Sequence, residues 1–327
     1  MATTIQWGIL GLGNIANKFA QDLVKVKGAA LHAVGSRDKN KAQQFANTYN
    51  AKVCYSSYEE LAADPKIQII YIATPHSLHY ENTMMCLNAG KSVLCEKPIG
   101  LNSEQAGEMM TLAREKNLFL MEGIWTRFIP ATQKVLDLLK EGAIGDIFYI
   151  KSDFGFRVTA PPESRLLDPK LGGGALLDIG IYPLYLSLLL LGEPEHLKAE
   201  GILDSNGIDL YCAVMGSFKN GVKAVMESSF ISNTPTEAFI YGTSGFIHMK
   251  SQFHNCREIE VYHNDTKTSK VYSLPITGHG YFHEIMHVQN CLNQGKTESD
   301  LLPLGMSLSL SQNLDRIKNL ISLKYDA

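Results

Sequence analysis

Near its start the chain reads Ile5-Gln6-Trp7-Gly8-Ile9-Leu10-Gly11-Leu12-Gly13-Asn14-Ile15-Ala16, an apolar strand-like run leading into a glycine turn. The turn fits the pattern G-x-G-x-x-G/A: Gly11 allows a tight turn, Gly13 lets a pyrophosphate approach the backbone, and Ala16 allows close helix packing. The free N–H groups where the helix opens, at Asn14 and Ile15, face the phosphates. The motif therefore predicts a dinucleotide site, the alternative being a glycine-rich turn without a ligand.

Strand-like and helix-like segments alternate over the first 120 or so residues. Between the strand-like runs, apolar residues recur at helical spacing, as at Ala42, Phe45, Ala46 and Tyr49. The strand-like runs are Ile5–Leu10, Ala29–Val34, Ile67–Ala73, Ser92–Cys95 and Leu118–Met121. This alternation predicts an α/β Rossmann domain, a doubly wound parallel sheet, over residues 1–122, with Ser103 capping its last helix.

The pattern changes after residue 122. Several strand-like runs follow one another, and Lys219-Asn220-Gly221 between two of them is a strong hairpin signal. The runs are Ile147–Phe154, Leu210–Phe218, Val222–Phe230, Ala238–Tyr241 and Ile259–Tyr262. They predict an α+β domain with an open, mostly antiparallel sheet over residues 123–327. The sequence leaves open which half the last helices, Tyr281–Asn293 and Leu304–Leu323, pack against.

Composition and charge favour a packed globular protein of about two domains. The 327 residues are 45% hydrophobic and 19% charged, which argues against a disordered chain or a coiled-coil rod. Lysine and arginine number 30 against 33 aspartate and glutamate, a net charge of −3. Without a basic excess or a basic stripe, no nucleic-acid partner is expected.

The apolar stretch Leu176–Leu191 is the only one that raises the question of a membrane. Asp178 and Pro183 interrupt it and it is short for a bilayer, so it predicts a buried core helix and no membrane partner. Six cysteines stand singly, and the start of the chain shows no secretory pattern. Reduced thiols and a cytoplasmic location are therefore expected.

The type of nicotinamide cofactor depends on the end of the second strand, Val34-Gly35-Ser36-Arg37-Asp38. An acidic residue there binds the ribose hydroxyl of NAD, whereas an arginine accommodates the 2′-phosphate of NADP. Arg37 can pair with that phosphate and Ser36 can donate a hydrogen bond to it. Asp38 is interpreted as the N-cap of the next helix. The sequence predicts NADP(H) over NAD(H), the alternative for Arg37 being a solvated surface charge.

Two polar loops follow later strands of the first half. Ligands of open α/β sheets bind beyond the carboxyl ends of the strands, which places both loops near the cofactor. The first loop contains Thr74, Pro75 and His79, and the second contains Glu96 and Lys97. All five are predicted cofactor residues. His76 in the first loop could contact the cofactor, but it is explained equally well as a polar residue at the start of a helix.

Three motifs together resemble the glucose-fructose oxidoreductase/inositol dehydrogenase/rhizopine catabolism (Gfo/Idh/MocA) family. They are the glycine turn, the triplet Glu96-Lys97-Pro98, and the stretch Gly172-Gly173-Gly174-Ala175-Leu176-Leu177-Asp178-Ile179-Gly180. They occur in the family's order, and the resemblance spans nearly the whole chain. It implies a Rossmann domain followed by an open-sheet domain through which the protein forms a homodimer.

One departure from the family pattern indicates a branch. Many members carry a histidine where this chain has Tyr182. That feature resembles the branch with dimeric dihydrodiol dehydrogenase, NADP-dependent D-xylose dehydrogenase and glucose-fructose oxidoreductase. The stretch Met121–Phe128 is similar to the dihydrodiol dehydrogenase type. The resemblance implies that Trp125 contacts nicotinamide or substrate and that Arg127 contacts the cofactor, the alternative being a packing tryptophan with an ion-paired arginine.

Lys97 and Tyr182 are the predicted catalytic residues. Oxidation of an alcohol sends a hydride to nicotinamide and a proton to a base, and the protein supplies the proton route. A neighbouring ammonium favours the phenolate of a tyrosine, which suits Tyr182 as acid/base beside Lys97. Phe156 and Asp178 are predicted to contact substrate. Asp178 would share a helix face with Tyr182 unless Pro183 distorts the helix. Without the resemblance, Tyr182 would be interpreted as a buried core residue.

A metal site is not predicted. His283 and His287 are four residues apart, as metal ligands on one helix face often are, but no third ligand is evident. Arg165 and Asp168 before the glycine run could lie at the rim of the substrate pocket, and solvation of a loop explains them nearly as well.

The expected function is an NADP-dependent oxidoreductase that transfers a hydride between nicotinamide and a secondary alcohol of a sugar, a polyol or a trans-dihydrodiol. One alternative is an NAD-dependent glycosidase of the same fold. The other is a non-catalytic nucleotide-sensing regulator, which would not need a proton relay such as Lys97 and Tyr182.

Overall fold

A computed structural model describes residues 4–325 of the chain, which divide into two compact units. The first unit comprises the described residues up to Arg127 together with Thr277–Ser311. The second comprises Phe128–Ile276 and the described residues from Gln312 onward. The division therefore falls after Arg127 rather than after residue 122. The segment Thr277–Ser311 returns to the first unit, a question that the sequence left open.

Fourteen strands and nine α-helices are formed within residues 4–325. The strands are β1 (Ile5–Leu10), β2 (Ala29–Gly35), β3 (Val53–Tyr55), β4 (Ile69–Ile72), β5 (Ser92–Glu96), β6 (Leu120–Gly123), β7 (Ile147–Gly155), β8 (His196–Leu203), β9 (Asp209–Ser217), β10 (Lys223–Ser229), β11 (Ala238–Gly242), β12 (Gly245–Met249), β13 (Glu258–His263) and β14 (Thr268–Ser273). The helices are α1 (Asn14–Leu23), α2 (Lys39–Tyr49), α3 (Tyr58–Ala63), α4 (His79–Asn88), α5 (Ser103–Glu115), α6 (Pro130–Lys140), α7 (Ile181–Leu191), α8 (Tyr281–Asn293) and α9 (Leu304–Leu320).

The first unit contains a six-stranded sheet in the order β3-β2-β1-β4-β5-β6. All of its pairs are parallel, which confirms the predicted doubly wound sheet. The strand order reverses between β1 and β4, the point at which open α/β sheets bind ligands. Strand β3 was not predicted, because three half-buried residues at a sheet edge are too few to show an alternation of apolar and polar residues.

One predicted helix cap in the first unit is wrong. Helix α5 is capped by Asn102, whose side-chain oxygen accepts a hydrogen bond from the N–H of Gln105 at 2.9 Å. Ser103 is instead the first residue of that helix. Asparagine and serine are comparable N-caps, so composition alone could not separate two adjacent candidates.

The second unit contains an eight-stranded sheet in the order β14-β13-β12-β11-β7-β10-β9-β8. Every pair is antiparallel except β7 with β10, so the predicted mostly antiparallel sheet is confirmed. The predicted hairpin joins β9 to β10, with Asn220 and Gly221 both at positive φ. The strands β8, β12 and β14 were missed, and β8 and β14 are the solvated edges of this sheet.

The apolar stretch Leu176–Leu191 forms a π-helical turn, Leu176–Gly180, that runs into α7. By length and composition alone, the helical segment Pro169–Leu191 could span a membrane. However, 83% of its most apolar 18-residue window is buried inside the protein. Tyr185 in α7 is fully buried, as is Ile181. The predicted core helix is confirmed.

Candidate active site

The glycine turn after β1 is shaped by two different requirements. Gly11 has a φ of +84°, and a Cβ there would lie 2.9 Å from Cγ2 of Thr74, so a side chain would meet the loop after β4. At Gly13, in contrast, a Cβ would meet nothing within 4 Å. Helix α1 begins directly after Gly13 without a side-chain cap. The N–H groups of Asn14 and Ile15 therefore border open space of the kind a pyrophosphate fills.

Three polar residues in the loop after β2 make different contacts. The carboxylate of Asp38 accepts hydrogen bonds from the N–H groups of Asn40 at 2.9 Å and Lys41 at 3.1 Å, which confirms it as the cap of α2. Ser36 is buried, and its hydroxyl oxygen accepts from the N–H of Asp38 at 3.2 Å. Arg37 is exposed beside Tyr58. Burial raises the pKa of Tyr58 and the guanidinium charge of Arg37 opposes that rise.

His79 joins the two polar loops at the carboxyl ends of β4 and β5. Its ring is fully buried, with Nδ1 at 2.6 Å from the carbonyl oxygen of Pro98 and Nε2 at 2.9 Å from that of Thr74. A carbonyl oxygen only accepts, so a ring nitrogen must carry a proton to donate to it. Both ring nitrogens of His79 therefore contact the protein backbone, and its predicted contact with a cofactor stays a prediction. His79 fixes the loops that hold Thr74, Pro75 and Lys97.

His76 and Asn82 surround the same loop. The ring of His76 is buried, with its centroid 5.8 Å from that of His79. Asn82 donates a hydrogen bond to the hydroxyl of Thr74 at 3.2 Å. Thr74 is thus held from both its backbone and its side chain.

Glu96 is the last residue of β5, and Lys97 follows it at the same edge of the sheet. The hydroxyl of the fully buried Tyr71 donates a hydrogen bond to Oε1 of Glu96. The backbone N–H of Lys97 approaches Oε2 of Glu96 at 3.3 Å. Burial, reinforced by the charge of Glu96, holds the pKa of Tyr71 well above its usual range, so this phenol stays a donor. The carboxylate of Glu96 is thereby fixed behind Lys97.

Two further buried glutamates lie near Glu96, and the sequence analysis assigned neither to the site. Glu122 on β6 is 1% exposed, and its Oε1 accepts from the N–H of Ile99 at 2.9 Å. Burial raises the pKa of Glu122 to about 7, although the positive charge of Lys97 works against that rise. Glu284 on α8 is fully buried, and burial together with the charge of Glu96 raises its pKa far above the usual range. Burial therefore favours the protonated form of Glu284.

Trp125 and Arg127 lie in a short 3₁₀ turn after β6. The indole of Trp125 is 9% exposed and stacks on Tyr281 of α8, with centroids 5.1 Å apart and planes 7° from parallel. Arg127 is buried, and its Nε donates to the carbonyl of Leu301 at 3.0 Å. Its Nη1 has no hydrogen-bond partner among residues 4–325. That buried donor fits the predicted contact with an anionic cofactor.

The second unit carries the predicted substrate residues. Tyr182 is 6% exposed, with its ring centroid 5.0 Å from that of His254 and 5.8 Å from that of Phe154. Phe156 packs on Phe230, with centroids 5.2 Å apart. Nothing in the sequence indicated that His254, from a turn after β12, would join this aromatic group. The sequence could not place a turn so far along the chain.

Asp178 lies in the π-helical turn before α7. Its Oδ1 accepts a hydrogen bond from Arg165 at 3.2 Å. The wider π turn replaces the α-helical spacing from which a shared face of Asp178 and Tyr182 was inferred. Asp168 caps a neighbouring 3₁₀ turn by accepting from the N–H of Lys170 at 2.9 Å, so its carboxylate has a local structural role.

Asp209 on β9 holds the start of that π turn in place. Its Oδ2 accepts from the N–H of Leu176 at 2.6 Å, and burial raises its pKa to about 7 against the effect of that bond. A Cβ on Gly174, at a φ of +120°, would lie 2.2 Å from Oδ1 of Asp209. Tyr325 adds a hydrogen bond to the carbonyl of Gly173 at 2.6 Å. The glycine run therefore serves close packing over a buried carboxyl.

The histidines of α8 have separate partners. The N–H of Thr277 donates to Nε2 of His283 at 3.3 Å, and burial lowers the pKa of His283. Nε2 of His287 lies 2.7 Å from the hydroxyl of Ser299 and 3.3 Å from the thiol of Cys291.

Comparisons with known proteins cover both units. Residues 5–124 match the GFO_IDH_MocA model, an oxidoreductase family with an NAD-binding Rossmann fold, and residues 132–248 match the GFO/IDH/MocA C-terminal domain. The chain is 35% identical to trans-1,2-dihydrobenzene-1,2-diol dehydrogenase of Mus musculus over 98% of each chain.

Solved structures share the fold at lower identity. An aldose-aldose oxidoreductase from Caulobacter crescentus superposes with a TM-score of 0.90 at 22% identity, covering 98% of each chain. A 3-ketoreductase from Actinomadura kijaniata gives a TM-score of 0.89 at 24% identity, also over 98% of each chain.

Proposed function

The chain belongs to the Gfo/Idh/MocA family of NAD(P)-dependent oxidoreductases, and on that basis we propose that it transfers a hydride between NADP(H) and a secondary alcohol of a sugar, a cyclic polyol or a trans-dihydrodiol. The observation that carries the proposal is the glycine turn, where Gly13 leaves open space in front of the uncapped α1. A dihydrodiol dehydrogenase is similar along the whole chain, which favours vicinal diols among the substrates.

The choice of NADP(H) rests on the loop after β2. Asp38, the only acidic residue of that loop, uses its carboxylate to cap α2. The ribose end of the cofactor then meets Ser36 and the exposed guanidinium of Arg37. A guanidinium binds a phosphate through paired charge-assisted hydrogen bonds, which a ribose hydroxyl cannot match. This arrangement favours the 2′-phosphate.

In the first unit, we assign binding of the cofactor to the edge formed by the glycine turn and the loops after β2, β4 and β5. Nicotinamide supplies hydride chemistry when it is bound. Thr74 and Pro75 border that edge, and Trp125 supplies an apolar plane held by Tyr281. Arg127 supplies a buried positive charge. Lys97 is the residue that hydrogen-bonds the substrate oxygen as its charge changes.

In the second unit, Tyr182 is the proposed acid/base. Its phenolate takes the alcohol proton during oxidation, and the phenol so formed returns it during reduction. The surrounding rings of Phe154 and His254 fix the phenol and exclude water around it. Asp178, held by Arg165, is the proposed hydrogen-bond acceptor for a second substrate hydroxyl. A sugar, polyol or vicinal diol offers such a second hydroxyl.

A homodimer in the cytoplasm completes the proposal, without a nucleic-acid or membrane partner. Support for the dimer comes from a row of half-buried aromatic rings on one face of the eight-stranded sheet, in which Tyr149 stacks on Tyr241 at 4.4 Å and Phe246 on Tyr262 at 5.1 Å. Such a face is typical of interfaces. Light scattering should give twice the 36.2 kDa chain mass, and a monomer at micromolar concentration would refute the dimer.

Titration with NADPH and with NADH, followed by nicotinamide fluorescence, tests the cofactor and the function together. The wild type should bind NADPH more tightly, and Arg37→Ala should weaken NADPH at least about tenfold more than NADH, the loss of one charge-assisted phosphate contact. Lys39→Ala, an exposed cation on the neighbouring α2, is the control. Equal weakening of both cofactors would refute the 2′-phosphate assignment. Tight binding with no turnover of any diol or aldose would favour the nucleotide-sensing alternative.

A further inference from the structure

Three potential metal ligands converge at the end of α8, in the first unit. His287 and Cys291 are four residues apart on that helix, and Asp300 comes from the segment that follows it. One ligand atom from each lies within 4.8 Å of the other two. Nε2 of His287 is 3.3 Å from Sγ of Cys291 and 3.7 Å from Oδ1 of Asp300. No step of the proposed hydride transfer uses these residues.

Two of the three separations between these ligand atoms fit a tetrahedral metal site. Zinc binds nitrogen and oxygen at about 2.0–2.2 Å and sulfur at about 2.3 Å, so the edges of the tetrahedron measure about 3.3–3.7 Å. The two separations measured from Nε2 of His287 fall at these edge lengths. The ligand atoms of Cys291 and Asp300 lie within 4.8 Å of each other, so an ion would bring these two side chains closer together by up to about 1 Å. Imidazole, thiolate and carboxylate are the three ligand types that Zn²⁺ accepts in proteins.

One neighbour of the three ligands orients the carboxylate of Asp300. Lys296 holds Oδ2 of Asp300 at 3.2 Å, which leaves Oδ1 directed at His287. Such a contact orients a carboxylate ligand from outside the coordination shell. Asp300 is 61% exposed, whereas Cys291 is 2% exposed, so an ion would enter from solvent and meet the thiol last.

We propose that His287, Cys291 and Asp300 form a Zn²⁺ site with three protein ligands and a fourth position filled by water. As the metal–sulfur bond forms, the Cys291 thiol releases its proton to solvent, and His287 exchanges its contact with Ser299 for the ion. The thiolate and the carboxylate together balance the two charges of the ion. The ligand Asp300 is adjacent to Leu301, whose carbonyl holds Arg127. The ion therefore tethers the segment that positions Arg127.

Cobalt is the probe for ligand identity, because a thiolate bound to Co²⁺ gives a charge-transfer absorption in the near ultraviolet. The full-length, metal-free and tag-free protein should bind one equivalent of Co²⁺ with that absorption, and Zn²⁺ should displace it. Cys291→Ser should abolish the absorption. Asp300→Asn, at an exposed side chain that cannot disturb the core, should weaken Zn²⁺ binding more than about tenfold.

The matched control is Cys54→Ser, which alters a cysteine in β3 that donates to Gln43 outside the cluster. It should bind Co²⁺ like the wild type, with the same absorption. Binding without a thiolate absorption would overturn the proposal, as would unchanged Zn²⁺ affinity in both Cys291→Ser and Asp300→Asn. Because neither readout needs cofactor or turnover, the outcome is independent of the proposed hydride transfer.

Discussion

Replacing Glu122 with glutamine should change how the stability of the protein depends on pH. Burial raises the pKa of this carboxyl from 4.5 to about 7 in the folded protein. Between these two values the folded protein keeps the proton and the unfolded chain loses it. The free energy of unfolding of the wild type therefore falls as the pH rises from 4.5 to about 7. Above that pH, Glu122 causes no further loss of stability. At about 1.36 kcal/mol per pH unit, the loss from Glu122 amounts to about 3 kcal/mol.

Glu122→Gln keeps the acceptor for the N–H of Ile99 and removes the titration. Urea unfolding at intervals from pH 5 to pH 8 measures the free energy of unfolding of both proteins. The variant should gain about 2.5 kcal/mol relative to the wild type over that range, mostly below pH 7. Lys97→Met provides a second measurement, because the lysine charge lowers the pKa of Glu122 and its loss should move the end of the transition to higher pH. A difference between variant and wild type that stays constant over the range would refute the reasoning.

Three further predictions concern binding and turnover. Lys97→Met should lower kcat about 10²–10⁴-fold while the Kd for NADPH, measured by fluorescence titration, changes less than about threefold; unchanged kcat would contradict its role. Tyr182→Phe should lower kcat by a similar factor, while its ring contacts with Phe154 and His254 persist. Gly13→Val should fold normally, because its Cβ meets nothing within 4 Å, but it should bind NADPH more than about tenfold more weakly. Gly11→Ala, at positive φ, should instead lower the free energy of unfolding in urea by about 1–2 kcal/mol. Full NADPH affinity in Gly13→Val would place the pyrophosphate elsewhere.

Local patterns in the sequence predicted most of the first unit. Strand β1, the glycine turn and α1 are contiguous, so the residues that specify them are neighbours in the chain. The cap Asp38 acts on the N–H groups of Asn40 and Lys41, two and three residues away. Short-range interactions of this kind depend on residue type and spacing, which a sequence displays directly. Edge strands such as β3 and β14 lack a buried face and so left no such pattern.

The candidate site was predicted where residues follow strands of a parallel sheet. Parallel strands end at one edge, so Thr74, Glu96 and Lys97 were expected to lie together before any contact was known. The contacts of individual side chains were not predicted. Both ring nitrogens of His79 face backbone carbonyls of two separate loops, whereas the sequence shows only that His79 follows a strand.

The sequence by itself determined the parallel sheet, the dinucleotide turn, the mostly antiparallel second sheet and the family. Only the tertiary structure decided which ionisable groups are buried and what they meet. Glu284 contributes to the surroundings of Glu96 because α8 returns to the first unit, and Asp209 holds Leu176 from a different strand. The protonation of such groups depends on the water excluded around them. That exclusion is produced by segments distant in the chain, so residue order alone carries no sign of it.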